Sequence, residues 1–543
     1  GDCGEKSNCM SVEPVQTEFG RKTRIHQSSC NKDFSCVKGF CPSFLTITPN
    51  AAPASDGKKK KKGRIPALDR ELPTPVNKID DTIGVGIHVM GIGGTGSVTV
   101  VATLANAARL EGKHVIGLDQ TGLAQKGGAV ISDIKITHVP FSGSNKISDG
   151  RADLYLGFDI LNATDPKNLD KCGANRTIAV VSTTQTPTGQ MVSNRKNQFP
   201  PVNALTAGID RVTRKEDNVY LDGQAMAEGL FGDAMATNNF MVGVAYQAGT
   251  IPLKAESIEQ AIKNSGVAVE MSLAAFRWGR MAVVDRAFVE AEVAKYKAAG
   301  SVVSLKQAPQ LSPAARAIVD SVGAQGEVKR LVEIRVPELI AFQDEAYAQR
   351  YADVIKRVVA AEHRVLPGSQ LSEAAARYLY KLMAYKDEYE VARLHTDPAF
   401  LAELDAQFPH GYSVKYNLAP PLLAERDPQT GELQKKQYGQ WMFKAFQRLA
   451  GLKRFRGSSF DLFSKTEERR LERQAIEDYI KLLDEIIAKL TASNHAAAVA
   501  LASVPDEIRG FGHVKEKNLA AAKKLQEERL QAFRNPQAVR MTA

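Results

Sequence analysis

Between Ile83 and Ala129 the chain offers an apolar run, a glycine-dense turn, an apolar helical segment and a second strand, and few folds accept that order. The turn, Gly91-Ile92-Gly93-Gly94-Thr95-Gly96, satisfies G-x-G-x-x-G. Ile83, Val85, Ile87, Val89 and Met90 give the preceding run the period of a buried strand, and Val98 to Leu110 reads as a helix ending at Gly112. Glycines are needed where a chain turns sharply and where backbone N–H groups approach a phosphate, and a helix N-terminus adds partial positive charge. Two readings stand: a nucleotide-type ligand, or a tight turn in a doubly wound sheet. Asp119, after the run His114 to Leu118, stands where a dinucleotide fold places its ribose-binding acid.

The continuation is not ordinary dinucleotide-fold chemistry. Gly122-Leu123-Ala124-Gln125-Lys126-Gly127-Gly128-Ala129 forms a second glycine-rich turn directly after strand two, and Val130 to Val139 alternates as a further strand. Ala152 to Phe158 and Thr177 to Thr183 read as strands too, with Asp159, Ser182, Thr183 and Thr184 at their carboxyl ends, where open α/β sheets bind ligands. Helices are expected from Phe240 to Ala248, opened by Asn238-Asn239 as N-cap or as crevice-facing polar groups, then from Ser257 and over Met271 to Arg280. Together, the two glycine turns, the strand after them and the Asn239 to Gly279 helices resemble the gamma-type domain of the 2-oxoacid:ferredoxin oxidoreductases. The expected fold is α/β, a Rossmann-like domain over about residues 81–285. Gly91, Gly93, Gly94, Thr95, Gly96, Gly127 and Gly128 are the candidate cofactor-binding residues.

Cysteine usage is the second informative feature. Five of the six, Cys3, Cys9, Cys30, Cys36 and Cys41, fall within the first 41 residues. Nothing else suggests secretion, so thiolate ligation of a metal is more natural than a disulfide framework. Zinc usually takes C-x2-C pairs, and none is present. Cys41-Pro42 matches the closing Cys-Pro of bacterial ferredoxin motifs, although the other spacings are wider than the ferredoxin pattern. An iron–sulfur cluster, zinc and free thiols are the readings left open. Cys9, Cys30, Cys36 and Cys41 are the first-choice ligand set, with Cys3 able to replace any one, and Arg21, Lys22 and Arg24 are available to offset thiolate charge. The segment Asn8 to Phe44 is similar to the linker cluster of the fused bacterial indolepyruvate ferredoxin oxidoreductases.

The rest of the chain adds organisation more than chemistry. With 543 residues, three or four domains are expected, and no stretch nears the roughly 18 apolar residues of a membrane span. The start, Gly1-Asp2-Cys3, suggests a fragment or processed piece. Pro49 to Leu68, with Lys58 to Lys62, has the composition of a disordered tether, and it accounts for part of the net charge of +10. No nucleic-acid role is called for. After a connector over 286–330, residues 331–543 are expected to form a mostly helical domain. Tyr378 to Leu394 shows one helical spacing, Ser464 and Glu467 a capping box, and Leu519 to Phe533 a last amphipathic helix. His395, Asp397 and Lys386 are possible substrate-side contacts.

The resemblance implies a thiamine diphosphate and Mg2+ enzyme that decarboxylates a 2-oxoacid such as indolepyruvate. It also implies electron transfer through [4Fe–4S] clusters to ferredoxin, coenzyme A as co-substrate, and a cytoplasmic homo-oligomer. The family's thiamine signature begins Gly-Asp-Gly; Gly232-Asp233-Ala234 is not one, so upstream thiamine-binding domains or a partner subunit would complete the site. Two other classes remain: an NAD(P)- or flavin-binding oxidoreductase using Gly91, Gly93, Gly96 and Asp119, and a zinc-stabilised structural subunit.

Overall fold

The computed structural model describes residues 2–7, 9–30, 32–50, 65–94, 96–122, 128–194, 197–300, 311–420, 424–425, 433–461 and 463–535. The N-terminal segment is a hairpin of β1 (Val12–Thr17) and β2 (Gly20–Ile25), a 3-10 turn at Ser35–Lys38 carrying Cys36, and strand β3 (Leu45–Pro49). Lys58 to Lys62 lie outside the described residues.

The central domain carries a six-stranded sheet: β4 (Gly84–Ile92), β5 (His114–Thr121), β6 (Ala129–Thr137), β7 (Leu154–Gly157), β8 (Ile178–Ser182) and β9 (Val219–Leu221), in the order β5-β6-β4-β7-β8-β9. From β4 to β9 the neighbours are parallel. Ile87, Val89, Met90, Leu154, Leu156, Ile178 and Val180 are completely buried, as a parallel sheet covered on both faces requires. The covering helices include α1 (Ser97–Leu110), α2 (Gly223–Phe231), α3 (Thr237–Gln247) and α4 (Val269–Val284). Of these, α3 and α4 cross backbone to backbone: a Cβ added at Gly279 would stand 1.9 Å from Phe240 O.

One departure from a doubly wound sheet matters for function. β6 runs antiparallel between β4 and β5, so the second strand does not lie beside the first. The short Gly122–Gly128 connection permits a hairpin, whereas a parallel crossover needs roughly a dozen residues or more.

The C-terminal part is mostly helical, with α5 (Gly326–Phe342), α6 (Glu345–Val365), α7 (Gln370–Met383), α8 (Glu388–His395), α9 (Trp441–Gly451), α10 (Glu467–Lys489) and α11 (Gly512–Arg534) among its helices. Leu331, Tyr351, Ile355, Leu379, Leu483 and Leu501 belong to its shared core. The single helical spacing over Tyr378 to Leu394 resolves into two helices. Asp387 stops the first from continuing: its carboxylate caps α8 through Glu390 N–H at 2.8 Å and is gripped by buried Arg456 at 2.6 and 2.8 Å. Likewise α10 is capped by Thr466, whose hydroxyl accepts from Arg469 N–H, while Ser464 donates to Asp461 O.

Two strands of this part, β10 (Tyr412–Leu418) and β11 (Lys436–Tyr438), join β3 in a sheet of order β11-β10-β3. The β1–β2 tip is held as well: Arg335, 2% exposed, donates to Glu18 O at 3.1 Å, and Phe19 stacks on Tyr380 at 5.5 Å. The N-terminal segment is therefore built into the C-terminal part. No described helix is long and apolar enough to cross a membrane.

Candidate functional site

At the carboxyl end of β4 the glycine turn has a conformation its sequence demands. Gly94 and Gly96 take φ of +92° and +82°, the left-handed region that only glycine enters freely, and Gly96 is the N-cap of α1. Gly91 and Ile92 are still in the strand. Asn238 packs against Gly96, whose added Cβ would lie 2.2 Å from Asn238 Nδ2. Asn238 therefore sits inside the first turn of α3 and faces the crevice; it is not the N-cap, a place taken by Ala236. The two glycine turns meet, because Gly93 N–H donates to Gly128 O at 2.7 Å. That bond withdraws one amide from any phosphate cradle. Thr95 and Gly127 lie outside the described residues.

Among the described residues, three polar atoms at this end are buried without a hydrogen-bond partner: Ser97 Oγ, Asp159 Oδ2 and Thr237 Oγ1. Asp159 follows β7, and its other oxygen accepts from Asn162 N–H at 2.8 Å. Asn162 in turn reaches Gly91 O at 3.2 Å. Burial pushes the Asp159 carboxyl up to about 6 against the pull of its backbone hydrogen bonds. One unpaired carboxyl oxygen and two hydroxyls around a helix N-terminus form a polar crevice, and the helix N-terminus within it is the part suited to a phosphorylated ligand. Thr184, by contrast, is spent internally: its hydroxyl donates to Asp222, the N-cap of α2.

Asp119 is not at this crevice. It accepts from Ser132 Oγ at 2.5 Å and lies two strands from β4, roughly 10 Å at ordinary strand spacing. The dinucleotide reading thus loses its ribose carboxylate.

The cysteines converge at a second place. Cys3, Cys36 and Cys9 share a small apolar cluster with Val12, Ile25 and Phe44. Burial raises the Cys36 thiol, and the fields of Cys30, Cys3 and Cys9 raise it further; burial likewise raises Cys3, with Cys41 adding to it. Gly39 presses the turn onto Cys3, where an added Cβ would be 2.7 Å from Cys3 Cα. All five thiols are free, and among the described residues no group of three or more His, Cys, Asp or Glu stands at metal-binding separation. Yet the donor chemistry, thiols of which Cys3, Cys9 and Cys36 share one apolar cluster, is of the type a thiophilic metal takes.

Two contacts to this centre had no local sequence signal. His26 lies 3.0 and 3.1 Å from the Glu228 carboxylate of α2, and Ser28 Oγ donates to it at 2.8 Å. The Glu228 bond lifts His26 above its ordinary value. Burial opposes the charge of Glu228, but bonds from His26, Ser28 and Gln224 prevail and lower it. Lys435 reaches the cysteine turn from the C-terminal part; burial lowers its pKa against the fields of Cys41, Asp2, Cys3 and Cys36. His395, Asp397 and Lys386 have other uses. His395 is stacked on Phe446 at 5.3 Å beneath Pro42 O, Asp397 caps the helix Pro398–Gln407, and Lys386 reaches Ser43.

Residues 86–282 match the family described as pyruvate ferredoxin/flavodoxin oxidoreductase. The central domain is thus similar to the oxidoreductases of that family. The match begins and ends within the Rossmann-like body, from β4 to α4. Curated relatives agree with it. An indolepyruvate oxidoreductase subunit, IorB, of Archaeoglobus fulgidus is 25% identical over 195 residues, 36% of this chain and 92% of that one. Its counterpart in Methanothermobacter thermautotrophicus is 26% identical over 195 residues, 36% of this chain and 94% of that one. A crystal structure of a pyruvate oxidoreductase subunit from Thermotoga maritima covers 37% of this chain and 97% of that one, at 18% identity and a TM-score of 0.28. Outside the oxidoreductase domain, residues 328–528 match a family of unknown function, DUF6537.

Proposed function

We propose that this chain forms part of an enzyme that oxidatively decarboxylates an aryl 2-oxoacid, indolepyruvate, to an acyl-CoA and CO2 with ferredoxin as acceptor. The observation that supports the reading is an arrangement: the segment that carries five thiols, three of them in one apolar cluster, is bonded through His26 and Ser28 to Glu228 of the oxidoreductase domain. Cys9, Cys30, Cys36 and Cys41 would hold an iron–sulfur cluster, with Cys3 the alternative fourth ligand. Such a cluster, when bound, supplies one-electron transfer. The crevice at Gly94, Gly96 and Ser97 would hold the phosphates of coenzyme A, using the amides left after Gly93 is spent. Thiamine diphosphate and Mg2+ would come from domains that carry the Gly-Asp-Gly signature. Names of relatives favour indolepyruvate as the substrate.

The test is iron and zinc analysis of anaerobically purified protein with an EPR spectrum after dithionite reduction. Roughly four irons per chain with a reduced-cluster signal supports the reading. Zinc without iron overturns it in favour of a structural subunit, for which a thiol donor set is equally suited.

A further inference from the structure

Lys435 makes an unusual set of contacts. Its ammonium donates to Val37 O at 3.2 Å, to Cys41 O at 2.6 Å and to Gly39 O, so its three protons go to three carbonyls of one short turn. The Phe44 ring lies 4.9 Å away on the same segment. That turn runs from Cys36 to Cys41, two of the proposed ligands. Lys435 is delivered there by structure: the next residue starts β11, β11 pairs with β10, and β10 pairs with β3, which begins four residues after Cys41. No carboxylate forms an ion pair with Lys435 among the described residues, so its charge faces the turn. Its neighbour Lys436 bonds the exposed Glu425 at 2.5 Å.

We infer that Lys435 is a positioning residue for the cysteine-bound centre: it ties the Cys36–Cys41 turn shut and places a fixed positive charge beside it. The inference rests on the cluster reading above. Reduction adds one electron to the centre and makes it one unit more negative, so a nearby cation stabilises the reduced form and raises the potential. Removing the cation leaves three carbonyls without their donor and an electron with less stabilisation.

The experiment uses the full chain, purified anaerobically and supplied with iron and sulfide, as wild type and as Lys435→Met, Lys435→Arg and Lys436→Met. Iron and zinc per chain are measured, and the midpoint potential is read by EPR along a dithionite titration. The expected result is a shift to lower potential in Lys435→Met, with Lys435→Arg and Lys436→Met close to wild type. If Lys435→Met holds no iron, Lys435→Arg decides: iron retained supports the inference, iron lost overturns it. Iron content and potential unchanged in Lys435→Met overturn it while the cluster reading stands. A wild type that takes up zinc and no iron overturns both, and does so before any variant is compared.

Discussion

The glycine crevice and the cysteine centre are built in opposite ways. The crevice is assembled within one domain, its turn between a strand and the helix that directly follows, while the cysteine centre depends on residues far apart in sequence. Lys435 and Glu228 stand hundreds of positions from the cysteines they support. A site of the first kind is read from local spacing and broken by local strain. One of the second kind is read only from the assembled chain, and it is broken by loosening its distant supports.

The largest expected effect lies at the cysteine centre. If the proposed cluster is bound, Cys36→Ser and Cys41→Ser should each lose most of its iron, because a hydroxyl is a poor ligand for a soft metal; metal analysis checks this, and full iron content in both would remove those residues from the ligand set. At the crevice, Gly96→Ala should destabilise the oxidoreductase domain by about 2–3 kcal/mol through its left-handed φ and the displacement of Asn238. Gly94→Ala, strained but facing open space, should cost about 1 kcal/mol by comparison. Thermal unfolding of the two variants tests the difference, and equal losses would sink the Asn238 contact as a cause.

Asp159 offers a change of opposite sign. Its folded pKa is raised to about 6 against an ordinary value of 3.8, so its ionisation costs stability as pH rises from about 4 to 6. Asp159→Asn should therefore gain about 1–2 kcal/mol at pH 7.5 and nothing near pH 4. A gain that does not change with pH would point away from the buried carboxyl. The smallest effect belongs to the bridge between the two regions. His26 is raised, so its contribution is full below about pH 6.5 and fades as pH climbs through the folded value. Glu228 is lowered, so its share is present above about pH 4.5 and lost on acidification through its folded value. Glu228→Gln should cost about 1 kcal/mol between those limits, seen as faster proteolysis of the N-terminal segment near pH 6 than near pH 8.5, relative to wild type.

What was legible follows the same division. The strand into Gly91, the helix out of Gly96 and its end at Gly112 were readable, since local period and left-handed glycines specify them. The insertion of β6 between β4 and β5 was not, because an alternating strand declares its faces and is silent about its neighbours. Asp119 was consequently assigned a place that the sheet order denies it. The helix break at Asp387 was invisible to a periodicity that carries across it; the partner that fixes the cap, Arg456, is a distant residue. The cysteines stood out in the sequence by type and clustering, but Lys435 is one lysine among many until β11 brings it to them.

The pairing of β3 with β10 has one more consequence. Asn50 N–H bonds Gly411 O at 2.9 Å, so about 360 residues, the oxidoreductase domain included, leave and return at a single point. Closing so long an excursion costs about 5 kcal/mol in chain entropy, a penalty the β3–β10 ladder cannot offset until the excursion has folded compactly. Along the chain the Cys36–Cys41 turn comes before the oxidoreductase domain, while β10, β11 and the lysine that clasp that turn come after it. That turn is thus fastened only after the whole intervening domain has been made, and its thiols stand unclasped until then.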